Sequence, residues 1–327
     1  MTTDLARREP RTALELVEDW AALAPDARKR RAAEALRDDD LSTLVTLLET
    51  CQRLHNRRGL RTSEHTLRSY RTGLAALARF AQGIGRKPHQ LNHDDALRFA
   101  RHLEGTGVGP ATVNSRLAAA RAFCRALQWA GMLPSEQNPF AEVSVTDPTP
   151  KHEKGQPYRP EHLERLLAAA RTPRERALIL LGADAGLRVA EVAALTWEAL
   201  EVEGLTVQVR SGKGGKTASV ALTPRCADAL AALGEKTGPV FGVTSRRLQA
   251  LFARLCELAG VPRYGYHALR HSAGTRLYEA THDLHVTARH LRHASLDTAR
   301  IYAHLADADY RSAVAQLADS KGSSPRR

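Results

Sequence analysis

A mainly α-helical chain of two domains, with one small antiparallel β-sheet in the second, is predicted by three observations. Apolar residues recur every three or four positions through most of the 327 residues. Two alternating stretches, 205–209 and 219–222, flank a Gly- and Lys-rich tip from Ser211 to Lys216, as the arms of a hairpin do. A segment rich in proline and charge, 147–157, interrupts the helical pattern near the middle of the chain and has the composition of an interdomain linker.

Composition narrows the class of partner. With 43% apolar and 26% charged residues, the chain has the make-up of a soluble globular protein. Lys and Arg number 48 against 36 Asp and Glu, a formal net charge of +12, which favours a polyanionic partner, most often nucleic acid. Cys51, Cys124, Cys226 and Cys256 form no CxxC pair and read as buried or incidental thiols of a reducing compartment. The first ten residues lack the apolar core of a signal peptide, and no apolar run is long enough to span a bilayer. The expectation is a cytoplasmic, nucleoid-associated protein with no membrane partner.

Taken in order, residues 1–37 carry Leu14, Val17, Trp20 and Leu23 at helical spacing, then the run Arg28-Lys29-Arg30-Arg31. An extra surface helix with a solvated basic face is the preferred reading, ahead of a basic arm on DNA. Residues 38–146 read as a helical domain. Leu44, Leu47, Leu48 and Leu54 line one helix, and Ser63 offers an N-cap for a second carrying Leu67, Tyr70, Leu74 and Leu77. Asn92 caps a third with Phe99 and Leu103, and Thr112 starts a fourth whose stripe is Val113, Leu117, Cys124 and Leu127. Arg116, Arg121 and Arg125 lie off that stripe. After the linker, residues 158–327 hold helices around Leu163 to Leu167 and Leu178 to Leu181, the hairpin, a helix through Leu248 to Leu258, and a last helix with Tyr310, Val314 and Leu317 before a polar tail. Gly215-Lys216-Thr217 is not a nucleotide P-loop, because the first glycine of that motif is replaced by Arg210 and a strand follows.

The chemistry-bearing stretch is 267–302. It opens with His267-Ala268-Leu269-Arg270-His271 and closes with His293-Ala294-Ser295-Leu296, then Thr298 and Tyr302. An arginine presents a planar fork of donors matched to phosphate oxygens, and a phenol can form a covalent intermediate where charge is stabilised. Upstream, Gly186-Leu187-Arg188 with Glu191 places an arginine and a carboxylate three apart on one helical face.

These motifs resemble the catalytic signature of tyrosine recombinases, the phage integrase and Xer family. The resemblance covers about residues 41–315, and one departure is Arg292 where the family usually has glycine. It implies a two-domain DNA clamp: a helical core-binding, SAM-like domain and an α+β catalytic domain. It further implies a site-specific recombinase that breaks and rejoins duplex DNA through a 3′-phosphotyrosyl intermediate. By motif, Arg188 and Arg270 hold the phosphate, Tyr302 is the nucleophile, and Lys213, with Lys216 as second choice, protonates the leaving oxygen. His267 manages the tyrosine proton, His293 binds the phosphate, and Glu191 supports the cluster. Arg116, Arg121, Arg125 and Lys216 are the candidate DNA contacts, since phosphate contacts dominate such affinity.

No cofactor and no metal are called for. A metal site at His267/His271, His282/His285 or His290/His293 is the poorer reading, because no cysteine is near and no HExxH occurs. The alternatives are a catalytically inactive DNA-binding protein of the same fold and a type IB topoisomerase-like relaxing enzyme. The resemblance implies double-stranded DNA as partner and action as a tetramer on DNA or with a paired recombinase, with an accessory or directionality factor as a further partner.

Overall fold

Local chemistry sets most helix starts. Ser63 accepts the amide of Thr66 at 3.2 Å, and Asn92 and Asp95 exchange side-chain and backbone bonds at 2.9 and 3.1 Å. These caps satisfy donors that the first helical turn leaves free. The computed structural model describes residues 13–306 apart from 58, 150–154, 202, 211–216, 235–236 and 294. The chain divides into two units, Met1–Pro148 and Thr149–Arg327.

In the first unit, α1 (Ala13–Ala21) and α2 (Pro25–Arg37) precede α3 (Leu41–His55), α4 (Glu64–Gly83), α5 (His93–Gly105) and α6 (Pro110–Trp129). The last of these begins at Pro110 rather than Thr112, because proline's fixed φ and missing N–H suit the first helical position. The helices before residue 38 are not merely a solvated surface addition. Trp20 is fully buried, donates Nε1–H to Thr46 Oγ1 at 2.9 Å and joins one apolar core with Leu47, Phe99 and Phe123. The basic run divides between two faces. Lys29 and Arg30 are exposed, whereas the Arg28 and Arg31 guanidiniums lie 4.1 Å over Trp129 and 4.3 Å over Trp20.

Helices α4 and α6 pack closely through Gly73, where an added Cβ would meet the Ala119 Cβ at 2.4 Å. Beside this contact the hydroxyls of Ser69 and Ser115 bond at 2.9 Å. The chain after α6 returns along that helix. Phe140 is fully buried against Phe99, and Asn114 brackets the Val145 peptide with bonds of 2.7 and 3.0 Å.

The second unit contains α7 (Pro160–Ala169), α8 (Pro173–Ala183), α9 (Val189–Ala193), β1 (Leu200–Glu201), β2 (Thr206–Arg210), β3 (Thr217–Ala221), α10 (Pro224–Ala231), α11 (Ser245–Ala259), α12 (His267–Thr281), α13 (Leu284–His290) and α14 (Leu296–Ala306). Leu178 to Leu181 of α8 are buried on every side, so this helix lacks an amphipathic pattern and forms the centre of the core. The sheet is antiparallel in the order β1-β2-β3, with Val207 opposite Val220 and both buried. The two-residue β1 was not foreseen, being too short to show alternation. Helix α11 ends at Gly260, in the left-handed conformation that a helix C-terminus favours, two residues before Pro262. The last helix expected from Tyr310, Val314 and Leu317 lies outside the described residues. Among the described residues no helix is long and apolar enough to cross a membrane.

Candidate active site

The site begins at a glycine. Gly186 has φ +61°, and a Cβ there would stand 2.4 Å from Leu291 Cδ2, so both the backbone and the space require glycine. Arg188 follows as the N-cap residue of α9. Glu191, one turn later, accepts the Arg188 amide at 2.8 Å and its Nη1 at 2.9 Å. The Glu191 side chain is 8% exposed and that of Arg188 is 43% exposed, so the carboxylate is fixed inside while the guanidinium keeps an open edge.

Arg270 comes from the first turn of α12 and is 1% exposed. Its two terminal nitrogens donate to the carbonyls of Gly186 and Leu291, tying the turn before α9 to the end of α13. Burial, then the charges of Arg188 and Arg292, push its pKa down to about 9, which still leaves it protonated at neutral pH. Arg292 donates Nη2–H to Glu191 at 2.7 Å. One buried carboxylate therefore lies among three guanidiniums.

Tyr302, on α14, is also 1% exposed and packs with Ala273, Ala288, Leu291 and Ala299. Small residues make its place: a Cβ on Gly274 of α12 would stand 2.5 Å from two ring atoms. The ring stacks on His293, centroids 5.8 Å apart and planes 17° apart, and the His271 centroid is 6.0 Å away. Burial pushes the phenol up to about 12 against the opposing pull of Arg270 and Arg188. Burial first, then neighbouring cations and imidazoles, lowers His271 and His293 to about 4, so both rings are neutral at pH 7. Both Nδ1 atoms are buried without a hydrogen-bond partner in the fold. His267, exposed at the start of α12, meets His271 edge to face at 4.8 Å. Desolvation of its ring, then Arg270 and Arg188, lowers its pKa as well.

Asp184 holds this arrangement from behind. Its buried carboxylate takes two bonds of 2.6 Å from Arg225 and one of 2.8 Å each from Thr223 and Arg276. Burial opposes its charge, but these bonds outweigh it and the carboxyl pKa is lowered. Its backbone oxygen bonds His290 Nε2 at 2.9 Å, fixing the end of α13 just before Arg292 and His293.

The structure thus brings Arg188, Glu191, His267, Arg270, His293 and Tyr302 together around the junction of α9, α12 and α14. His271, Gly274, Arg292 and Asp184 belong with them. The pattern of residue types gave no signal for Gly274 and Asp184, Arg292 stood out only as a departure from the family's glycine, and His271 stood in the quoted motif without a role. Lys213 and Lys216 lie outside the described residues. The base of their hairpin, Gln208 and Thr217, lines with Glu191 a cavity of about 590 Å³.

The three arginines of α6 do not form one row. Arg116 lines a groove with Arg68, Ser69 and Ser115, and Arg125 lines another with His55 and Trp129. Arg121 donates to the carbonyls of Phe140 and Val143, at 3.3 and 2.8 Å, which is a structural task. Among the described residues no group of three or more His, Cys, Asp or Glu is placed to hold a metal ion.

The site gathers guanidiniums, imidazoles and a phenol, the kinds of group that phosphoryl transfer to a tyrosine would use. Residues 158–309 match the Phage integrase family, and residues 52–131 match the Phage integrase, N-terminal SAM-like domain. The tyrosine recombinase XerC of Mycobacterium leprae is 30% identical over 272 residues, covering 75% of this chain and 89% of that protein. XerC of Rhodospirillum centenum is 32% identical over 295 residues, covering 81% and 84%. The chain belongs to the phage integrase, or tyrosine recombinase, family. Its fold is that of the XerH site-specific recombinase in a post-cleavage complex with its difH substrate, at TM-score 0.66 and 21% identity over 93% of this chain and 94% of that one. It is likewise that of lambda integrase bound to a core site, at TM-score 0.61 and 15% identity over 79% and 76%.

Proposed function

We propose that this chain is a site-specific DNA recombinase that cuts duplex DNA by attack of Tyr302 on a backbone phosphate and rejoins the strand to a new partner. The observation that carries the reading is the burial of Tyr302 between two neutral imidazoles, beside the Arg188–Glu191–Arg270 cluster.

A phosphodiester is anionic and resists a nucleophile unless cations hold its non-bridging oxygens. Arg188 and Arg270 supply that charge, Arg188 from its open edge. With its pKa near 12, Tyr302 is protonated at neutral pH, and attack requires that proton to leave. A neutral imidazole is the right acceptor, and His267 takes this role with His271 beside it. His293 holds the tyrosine ring from its face and hydrogen-bonds the phosphate. In the attack the Tyr302 Oη–P bond forms and the P–O5′ bond breaks. A 3′-phosphotyrosyl link and a 5′-hydroxyl result, the leaving oxygen taking its proton from Lys213. A second 5′-hydroxyl reverses the attack. One ester replaces another throughout, so no nucleotide need be spent.

Duplex DNA is the partner. Arg116, Arg125 and Lys216 are assigned to its phosphates, while Arg121 acts through the segment it holds. Action as a tetramer on DNA, or with a paired recombinase and an accessory factor, completes the reading. The test is to express the protein and Tyr302→Phe in source cells, isolate protein-bound DNA under denaturing conditions, and sequence it. DNA held by the wild type alone establishes the nucleophile and reveals the site, separating integration from dimer resolution. Equal DNA on both removes Tyr302 from its role and favours a binding protein that has lost catalysis.

A further inference from the structure

Arg292 occupies an uncomfortable place. Its φ is +54°, in the left-handed region that glycine enters freely and a residue with a side chain does not. A glycine here would relax the backbone, so the arginine must return something for the strain. The side chain is 6% exposed, and Nη2 bonds Glu191 Oε2 at 2.7 Å while Nη1 bonds the His290 carbonyl at 3.1 Å. The same Oε2 accepts the Arg188 amide at 2.8 Å, and Oε1 accepts Arg188 Nη1 at 2.9 Å. Arg292 is therefore joined to Arg188 through one carboxylate, across about a hundred residues of sequence.

Charge makes the consequence concrete. Glu191 Oε2 carries the Arg188 amide and the Arg292 guanidinium together, so Arg292 helps to fix the carboxylate whose other oxygen holds Arg188 Nη1. Shared with a second guanidinium, its charge is divided, and only one oxygen remains for the Arg188 fork. We propose that Arg292 is a positioning residue and third cation of the site: through Glu191 it sets the Arg188 guanidinium in place and keeps its charge available to the substrate phosphate. Arg188 is held by the carboxylate on one edge and left open on the other, as its 43% side-chain exposure shows. Burial lowers the Arg270 pKa most, and the further lowering by Arg188 and then Arg292 agrees with three cations crowded at one point.

The inference rests on the recombinase reading above, and two measurements keep the two apart. The first needs no DNA: side-chain ¹⁵N relaxation of the Arg188 guanidinium in the wild type, Arg292→Gly and Arg292→Lys. The guanidinium is expected to be rigid in the wild type and in the lysine variant, which keeps the charge, and mobile in the glycine variant, although glycine suits the backbone better. The second is the rate of covalent attachment to the DNA recovered with the wild-type protein. Arg292→Gly is expected to slow it about 100-fold and Arg292→Lys less than about 10-fold. In a Glu191→Gln background Arg292→Gly is expected to add little, since its effect passes through that carboxylate. An Arg188 side chain equally ordered in the glycine variant, or a glycine variant that attaches at the wild-type rate, overturns the proposal. Failure of the wild type to attach to any DNA would remove the recombinase reading, and the relaxation result would still decide the role of Arg292.

Discussion

The first unit and the second use arginine in opposite ways. In the first, Arg28 lies over Trp129 and donates to the carbonyls of Leu23 and Trp129, while Arg121 donates to those of Phe140 and Val143. Each works as a packing piece: its stem covers apolar surface and its head closes backbone acceptors. In the second, Arg270 also bonds two carbonyls, yet Arg188 and Arg292 share its neighbourhood around the single carboxylate of Glu191. Gathering like charges costs stability, and a protein retains such an arrangement where an anion is to be bound. The difference teaches that an arginine count finds a basic protein, whereas the company an arginine keeps finds the site.

The comparison breaks most visibly at Arg270. Arg270→Ala leaves the carbonyls of Gly186 and Leu291 buried without their donor, a cost of about 3 kcal/mol, and should slow covalent attachment to DNA about 1000-fold. Denaturant unfolding and the attachment rate measure the two effects. A variant that kept its rate would make Arg270 another packing arginine.

Acid should sharpen the contrast between the units. His271 and His293 ionise near pH 6.5 when unfolded but near 4 when folded. Between those values the unfolded chain binds the extra protons, so stability falls as pH drops from about 6.5 toward 4, by an amount on the order of a few kcal/mol. Thermal melts across that range should show the loss, and a His271→Gln/His293→Gln variant should show less of it. If the variant melts with the same pH dependence, the two rings are not neutral in the fold.

The smallest effect belongs to the first unit. Arg28→Ala removes one cation–π contact and bonds to carbonyls, worth about 1 kcal/mol, with cleavage of a bound duplex unchanged. A melting curve beside a cleavage time course tests this. A large loss of cleavage would show that the helices before residue 38 do more than complete a core.

Much of this was legible in the sequence because it depends on near neighbours. The caps at Ser63 and Asn92, the hairpin arms around residues 207 and 220, and the Arg188–Glu191 pair are relations over a few positions. The order and type of the residues from His267 to Tyr302 carried the candidate chemistry. The inward turn of Arg28 and Arg31 was hidden because a charge run shows no preferred face until a partner is known, and the indoles that receive them come from elsewhere in the chain.

What the sequence by itself determined is the set of elements and the kind of chemistry, since periodicity, caps and motif are written over short distances. Tertiary structure alone decided which groups meet. Gly274 matters because the Tyr302 ring arrives against it, Asp184 because three other segments converge on it, and Arg292 because Glu191 awaits its charge. Each is a contact between distant positions, and the cost of a cavity, a clash or an unpaired charge exists only once the chain has closed around it.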